Sequence, residues 1–154
     1  MKGRIKVVPK YEVLEHTADV GIRAFGKTLE ELFINTAFGM VSLIMTPDSE
    51  ISSIKAKHIK VEGYDLEGLM VAWLSEILFG IYSDDFLPAK IRNTLVTKYK
   101  GTSNDSDRYF ISAIIDGENY RPEAHQIALE IKGVTYHMLE VKTIDSSKEL
   151  PYRE

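Results

Sequence analysis

Apolar residues recur at intervals of three and four along two stretches, which is the spacing of one face of an α-helix. These stretches cover residues 29–44 and 66–81. Thr28 and Glu31 form a capping-box pattern before the first stretch, and Asp65 is a candidate N-cap before the second. The pattern therefore predicts two amphipathic helices, the second with an apolar face wide enough to pack across a sheet.

Alternation of apolar and polar residues predicts strands in most of the remaining chain. The predicted strands cover residues 11–15, 20–25, 51–62, 90–99, 109–116 and 132–144. Short connections between consecutive strands favour antiparallel pairing. We therefore predict a two-layer α+β domain, in which a mainly antiparallel sheet carries the two helices on one face.

The length and charge are those of one ordinary globular domain. The chain has 154 residues, with 19 Lys and Arg against 23 Asp and Glu, and a formal net charge of -4. A chain of this size can bury its own core. We assign residues 1–10 to a basic leader, residues 11–144 to the domain and residues 145–154 to a polar tail.

The composition excludes several classes of protein. Because there is no Cys, the chain has no disulfide, iron–sulfur cluster, thiolate zinc site or cysteine nucleophile. No signal-peptide pattern or membrane-length apolar window is visible, so we expect a cytoplasmic protein without a membrane partner. The negative net charge argues against strong direct binding of nucleic acid over a broad surface, but it does not exclude a local basic patch.

The first candidate site is the stretch of residues 15–21, EHTADVG, which brings a His, a hydroxyl and a carboxylate close together. In an extended chain His16 faces away from Asp19, whereas a turn changes that relation. The absence of thiolates favours oxygen ligands at any metal site, and Asp19 suits a hard divalent cation. The alternative is a capped turn in which Asp19 accepts hydrogen bonds from local backbone N–H groups.

The second candidate site is the stretch of residues 130–138, EIKGVTYHM. Strand alternation assigns three of its side chains to the core, namely Val134, Tyr136 and Met138. Lys132, close to His137 and several carboxylates, could bind phosphate or stabilise an anion. The alternative is that Lys132 protects a solvated strand edge against aggregation.

Other polar positions carry a weaker signal. His58 lies on a polar strand face, His125 lies in a loop-like stretch, and the pair Asp84–Asp85 follows a helix. We interpret the two histidines as surface groups, because a histidine-rich metal site needs more convergent ligands than this spacing supplies. Asp84–Asp85 is a candidate carboxylate pair for a hard cation, and the alternative is a solvated charge at the helix end.

Four stretches, in the same order along the chain, resemble the motifs of the archease family. They are residues 15–21 with 26–33, residues 73–79, residues 117–120 with His125, and residues 130–137. The resemblance implies a small α/β protein that assists the GTP-dependent tRNA-splicing RNA ligase of the RtcB family. Such a protein is not an enzyme itself. It promotes guanylylation of the ligase's active-site histidine and sustains multiple turnover, so that its link to tRNA is indirect.

The resemblance also implies which residues act. The family's metal-binding carboxylate corresponds to Asp19, and the Lys of its last motif corresponds to Lys132. His16 and His137 belong to the same two motifs and are included as ligase-activating residues. The family binds a divalent metal, with calcium as the example.

The end of the chain departs from the family pattern. The family closes with a further strand and a terminal Asp that completes the metal site, whereas residues 143–154, TIDSSKELPYRE, show no such strand or terminus. Glu154 and the terminal carboxylate are then the substitute ligands for the metal.

Two other functions are consistent with the residues. One is a metal-dependent hydrolase or phosphatase built on Asp19, His16 and His137, which requires these side chains to converge. The other is a chaperone-like protein-interaction module, which requires an exposed apolar patch and no polar pocket.

Overall fold

The computed structural model of the chain describes residues 9–15, 20–136 and 139–144. Within these ranges seven elements follow one another: β1 (Tyr11–Glu15), β2 (Val20–Ala24), α1 (Leu29–Ile44), β3 (Lys55–Gly63), α2 (Leu66–Ser83), β4 (Phe86–Tyr99) and β5 (Arg108–Asn119). Both helices begin at the residues that the apolar spacing predicts. The proposed leader and tail lie largely outside the described residues.

Side chains at the predicted N-caps fix the start of each helix. The Thr28 hydroxyl accepts a hydrogen bond from the Glu31 amide at 3.1 Å, and the Asp65 carboxylate accepts one from the Gly68 amide at 2.6 Å. Each satisfies an N–H group that has no partner inside the helix. Both predicted caps are therefore confirmed.

All strand pairs are antiparallel, as predicted, but they form two sheets among the described residues. β1 pairs with β2, and β5 lies between β3 and β4 in a sheet of three strands. A bulge interrupts the pairing of β4 with β5 between Arg92 and Leu95, where Asn93 has a φ of 51°. The extra residue increases the local twist of the long strand β4.

The core lies between the helices and the inner face of the three-stranded sheet. Trp73, Phe33 and Ile111 are completely buried there. The indole Nε1 of Trp73 donates a hydrogen bond to the Phe33 carbonyl oxygen at 2.9 Å, which joins α2 to α1 and satisfies the polar atom of a buried ring. Met40 of α1 and Met70 of α2 are buried in the same core.

By length and composition alone, α2 is apolar enough to cross a membrane. Seven of its side chains, however, are buried in the core of the domain. The helix also contacts all three strands β3, β4 and β5. Its apolar character is accounted for by packing across the sheet.

The strand predicted over residues 132–144 is not formed in the parts of it that the structure describes. Ile131, Val134 and Leu139 pack against the core, and this spacing is not the period of two that a strand requires. Val134 is therefore placed as predicted, whereas Tyr136 is 62% exposed and its predicted core position is wrong. Met138 lies outside the described residues.

Candidate functional site

Of the residues to which the resemblance assigns ligase activation or metal binding, the structure describes only Lys132. His16 and Asp19 fall between two described strands, β1 ending at Glu15 and β2 beginning at its pairing partner Val20. Together with His137 and Glu154, they lie outside the described residues. The convergence that a hydrolase would require of Asp19, His16 and His137 is therefore not tested.

Lys132 lies in what we call the C-terminal segment, residues 127–136 and 139–144. The segment begins at the end of α1, where Ile127 bridges Met45 and the Ala128 amide donates to the Ile44 carbonyl at 2.7 Å. Beyond this point, side chains of α2 supply the acceptors for two of its amides. The segment is thereby held to the two helices without a regular strand pairing in its described part.

Two anchors on α2 set the course of the C-terminal segment. The Ile131 amide donates to the Tyr82 hydroxyl at 2.8 Å in the last turn of α2, and the Val141 amide donates to the Glu67 carboxylate at 3.1 Å in the first turn. The segment therefore runs antiparallel to α2. Lys132 directly follows the first anchor, and its side chain is exposed.

A buried polar cluster fixes the chain immediately before this segment. Glu118, at the end of β5, is 2% exposed, and His125 is 2% exposed. Glu118 Oε1 lies 2.8 Å from His125 Nε2 and accepts hydrogen bonds from Arg121 Nε at 3.1 Å and Nη2 at 3.0 Å. Glu118 Oε2 accepts a hydrogen bond from the Ser52 amide at 2.7 Å.

The contacts of His125 determine its tautomer. Its Nδ1 accepts a hydrogen bond from the Arg121 amide at 2.8 Å, so this nitrogen carries no proton. The proton of the neutral ring is then on Nε2, which faces Glu118 and also lies 3.1 Å from the Glu50 carbonyl oxygen. Both ring nitrogens are satisfied, which permits complete burial of the ring.

The carboxyl of Glu118 is kept ionised by its neighbours. Burial alone raises its pKa. Hydrogen bonds from Ser52 and Arg121, together with the positive charge of Arg121, lower the pKa by more than burial raises it, so the pKa of Glu118 lies below its ordinary value. A paired carboxylate can thus lie inside the domain.

This cluster corrects one prediction from the sequence. His125 was expected at the surface, and it is buried because Glu118, Glu50 and the Arg121 amide satisfy its ring. The only local signal is the presence of Glu118, Arg121 and His125 within eight residues. The cluster ties β5 to the stretch before β3, and it holds residues 121–125 where the C-terminal segment departs.

The other polar positions behave as predicted. His58 is exposed on β3 and lies 2.9 Å from the Ser112 hydroxyl. Asp84 caps the C-terminus of α2 and pairs with Lys57 at 2.7 Å.

A groove of about 300 Å³ lies beside this ion pair, with Lys57, His58, Glu76 and Asp84 among its lining residues. Phe79, which is 60% exposed, also lines it. Apolar side chains, among them Ile59, Ile77 and Phe86, line the same groove, so it does not decide against a chaperone-like module.

Divalent metal binding is not supported by the described part of the chain. Within it, no three His, Asp or Glu side chains are grouped as a metal site requires. Asp19 and Glu154, the ligands that the resemblance implies, are outside that part.

Comparison with known proteins gives a consistent result. Residues 11–151 match the model of the Archease protein family. The chain is 40% identical over 140 residues to "Protein archease" of Methanosarcina acetivorans, which covers 90% of this chain and 91% of the relative. It is 37% identical over 143 residues to "Protein archease" of Pyrobaculum islandicum, which covers 92% of each chain.

A solved structure has the same fold. The solution structure of protein 1598 of Methanobacterium thermoautotrophicum superposes with a TM-score of 0.65 at 28% identity. The match covers 88% of this chain and 91% of that chain.

Proposed function

Because this chain belongs to the archease family, we propose that it activates the GTP-dependent tRNA-splicing RNA ligase of the RtcB family. Membership of the family supports the role of a protein activator. The finer proposal is that the chain promotes guanylylation of the ligase's active-site histidine and so sustains repeated turnover, in the cytoplasm and without catalysis of its own.

The observation that carries this proposal is the extent of the family match. Residues 11–151 contain all four motifs that the sequence analysis identified, and they include both candidate sites. Supporting it, the one candidate residue within the described part of the chain, Lys132, has an exposed side chain.

We propose that Lys132 acts by charge. The anchoring of Ile131 to Tyr82 restricts the backbone next to Lys132, so that less conformational freedom is lost when the ammonium group engages a ligand. An ammonium group near the phosphates of a nucleotide neutralises the charge that develops during nucleotidyl transfer. Asp19 is proposed to act with Lys132, as a ligand of a divalent cation such as calcium, and Glu154 is proposed to complete the coordination of that cation.

The test is RNA ligation by the purified cognate ligase with RNA ends in excess over ligase, in the presence of GTP and a divalent cation. We expect the wild-type chain to raise the number of turnovers, and Lys132→Ala and Asp19→Ala to lose most of this effect. Incorporation of labelled GTP into the ligase separates guanylylation from later steps. Lys142→Ala is the matched control, because Lys142 is an exposed lysine of the same segment, paired with Glu140 at 3.1 Å.

Different failures overturn different parts of the proposal. If the wild-type chain does not stimulate the ligase, the activator role is wrong. If it stimulates but both variants are as effective as the wild type, the role stands and the site assignment is wrong. Calcium titration by calorimetry, with Asp19→Asn as the comparison, tests the metal directly, and equal heats from both proteins would exclude Asp19 as a ligand.

A further inference from the structure

The three-stranded sheet has a second face, which points away from the core. On β5, Ile111, Ala113 and Ile115 are buried, so the alternate residues point outward. In antiparallel sheets, directly paired residues share a face. The outward residues of the sheet are therefore Ala56, His58, Lys60, Glu62, Lys90, Arg92, Leu95, Thr97, Tyr99, Arg108, Phe110, Ser112, Ile114 and Asp116.

The charge of this outer face is opposite to that of the whole chain. It carries the cations Lys60, Lys90, Arg92 and Arg108 and the carboxylates Glu62 and Asp116, while the chain as a whole has a net charge of -4. Both carboxylates are compensated within the face. Asp116 accepts two hydrogen bonds from Arg92, at 2.7 and 3.2 Å, and Glu62 lies 3.7 Å from Arg108. Lys60 and Lys90 then provide the excess positive charge.

Aromatic rings lie beside these cations. Tyr99 is 53% exposed, and Phe110 is half-buried without belonging to the core. Since Tyr99 pairs with Arg108 and Phe110 with Thr97, the two rings are diagonal neighbours on the same face. They line a cleft of about 280 Å³ together with Asp105 and Arg108.

Next to the two rings, the same face carries hydrogen-bond donors. The Lys60 ammonium lies 5.5 Å from the centre of the Phe110 ring. Ser112, which pairs with Lys60, lies 2.9 Å from His58 Nε2. Stacking surfaces and anion-binding groups thus lie side by side on one open face of the sheet, which is the combination that single-stranded nucleic acids use when they bind an open sheet.

We propose that the outer face of this sheet binds single-stranded nucleic acid, with bases stacked on Tyr99 and Phe110 and phosphates held by Lys60 and Lys90. The inference does not depend on the proposed activation of a ligase. The expectation of weak direct binding followed from the net charge, which averages over the whole surface. On this face the average does not apply, because Glu62 and Asp116 are compensated by Arg108 and Arg92, and the Tyr99 ring is exposed.

The test is fluorescence anisotropy of the full chain with a labelled single-stranded RNA oligonucleotide of mixed sequence. We expect binding that weakens strongly between about 50 and 200 mM salt. Replacing either ring, in Tyr99→Ala or Phe110→Ala, should weaken binding about tenfold, because each stacked base is lost. Lys60→Glu together with Lys90→Glu should weaken binding and reduce its salt dependence.

Matched controls lie on other parts of the surface. Phe79→Ala removes an exposed ring from α2, on the other side of the sheet, and Lys27→Glu changes an exposed charge before α1. Both should bind as the wild type does. Circular dichroism of each variant checks the fold, and Tyr99→Ala is the decisive variant because its ring is mostly exposed.

Three results would overturn the proposal. One is the absence of salt-sensitive binding by the wild type. Another is equal affinity for the single strand and for its duplex, because stacking requires exposed base faces. The third is unchanged affinity in the folded Tyr99 and double-lysine variants, which would place any binding elsewhere. If this face captures an acidic protein and the chain does not bind RNA, the partner belongs to a different class and the proposal is likewise wrong.

Discussion

His125 Nε2 lies 2.8 Å from Glu118 Oε1, and both side chains are buried. The contact joins the end of β5 to the residue that precedes the C-terminal segment by two positions. Because the opposite ring nitrogen accepts a hydrogen bond from the Arg121 amide, one imidazole links two parts of the loop. The position of the segment that carries Lys132 therefore depends on a polar contact inside the domain.

Replacing His125 by Ala should destabilise the domain by about 3 kcal/mol, because it leaves buried polar groups without partners and opens a cavity. Urea unfolding followed by circular dichroism measures this change. His58→Ala is the control, since His58 is exposed, and it should change the free energy of unfolding by less than about 0.5 kcal/mol. Equal effects of the two substitutions would contradict the role given to the buried ring.

The stability of the domain should fall at acidic pH, and Glu118 should contribute to that fall. Its pKa is lower in the folded protein than the ordinary value of 4.5. Such a carboxyl stabilises the fold above its unfolded pKa and loses this contribution as the pH falls towards the folded pKa. Glu118→Gln should therefore be less stable at neutral pH and show a shallower decline below about pH 4.5.

The control for this titration is Glu123→Gln, which removes an equal charge from a side chain that is 70% exposed. The stability of Glu118→Gln should still fall somewhat at acidic pH. Asp116 and Asp107 also have lowered pKa values, the first through its hydrogen bond with Arg92 and the second through the Gly101 amide. If the free energy of unfolding of Glu118→Gln declines at acidic pH as steeply as that of the wild type, the Glu118 carboxylate does not cause the decline.

Tyr82→Phe should loosen the C-terminal segment while the core stays intact. The substitution removes only the hydroxyl that accepts the Ile131 amide, at a cost of about 1 kcal/mol. Hydrogen exchange should become faster at Ile131 and its neighbours and stay unchanged in α2. In Tyr64→Phe, which alters a ring that is 73% exposed, exchange at Ile131 should remain as in the wild type.

Two glycines should respond to alanine in opposite directions. A Cβ at Gly117 would lie 2.0 Å from the Leu87 carbonyl oxygen, so Gly117→Ala must push β4 away from β5 and should destabilise the sheet by several kcal/mol. A Cβ at Gly80 meets nothing within 4 Å. Since Gly80 lies inside α2, Gly80→Ala should stabilise the domain by about 1 kcal/mol. Thermal unfolding of the two variants gives the comparison, and a loss of stability in Gly80→Ala would contradict the open space around this position.

The helices could be predicted from the sequence because their determinants are local. The apolar spacing defines the buried face, and Thr28 and Asp65 bond amides only three residues away. The antiparallel pairing of β1 with β2 and of β4 with β5 followed from short connections in the same way, unlike the pairing of β3 with β5. These features need no knowledge of the rest of the chain.

The features that were missed depend on distant residues. Glu118 is held by Ser52, which is 66 residues away in the chain, and His125 contacts Glu50, 75 residues away. Similarly, the amides of Ile131 and Val141 bond to side chains of α2. The described part of this segment therefore forms no strand, although its sequence alternates. A spacing rule cannot report acceptors of this kind, because they are contributed by residues outside the pattern.

The anchors of the C-terminal segment have a consequence for the order of folding. Ile131 and Tyr82 are 49 residues apart, and Val141 and Glu67 are 74 residues apart. Closing loops of this length costs chain entropy before any contact compensates it, whereas the pairing of β4 with β5 closes across a short loop. We expect the segment to dock after the two helices and the three-stranded sheet have assembled, so that Lys132 reaches its position in the last step of folding.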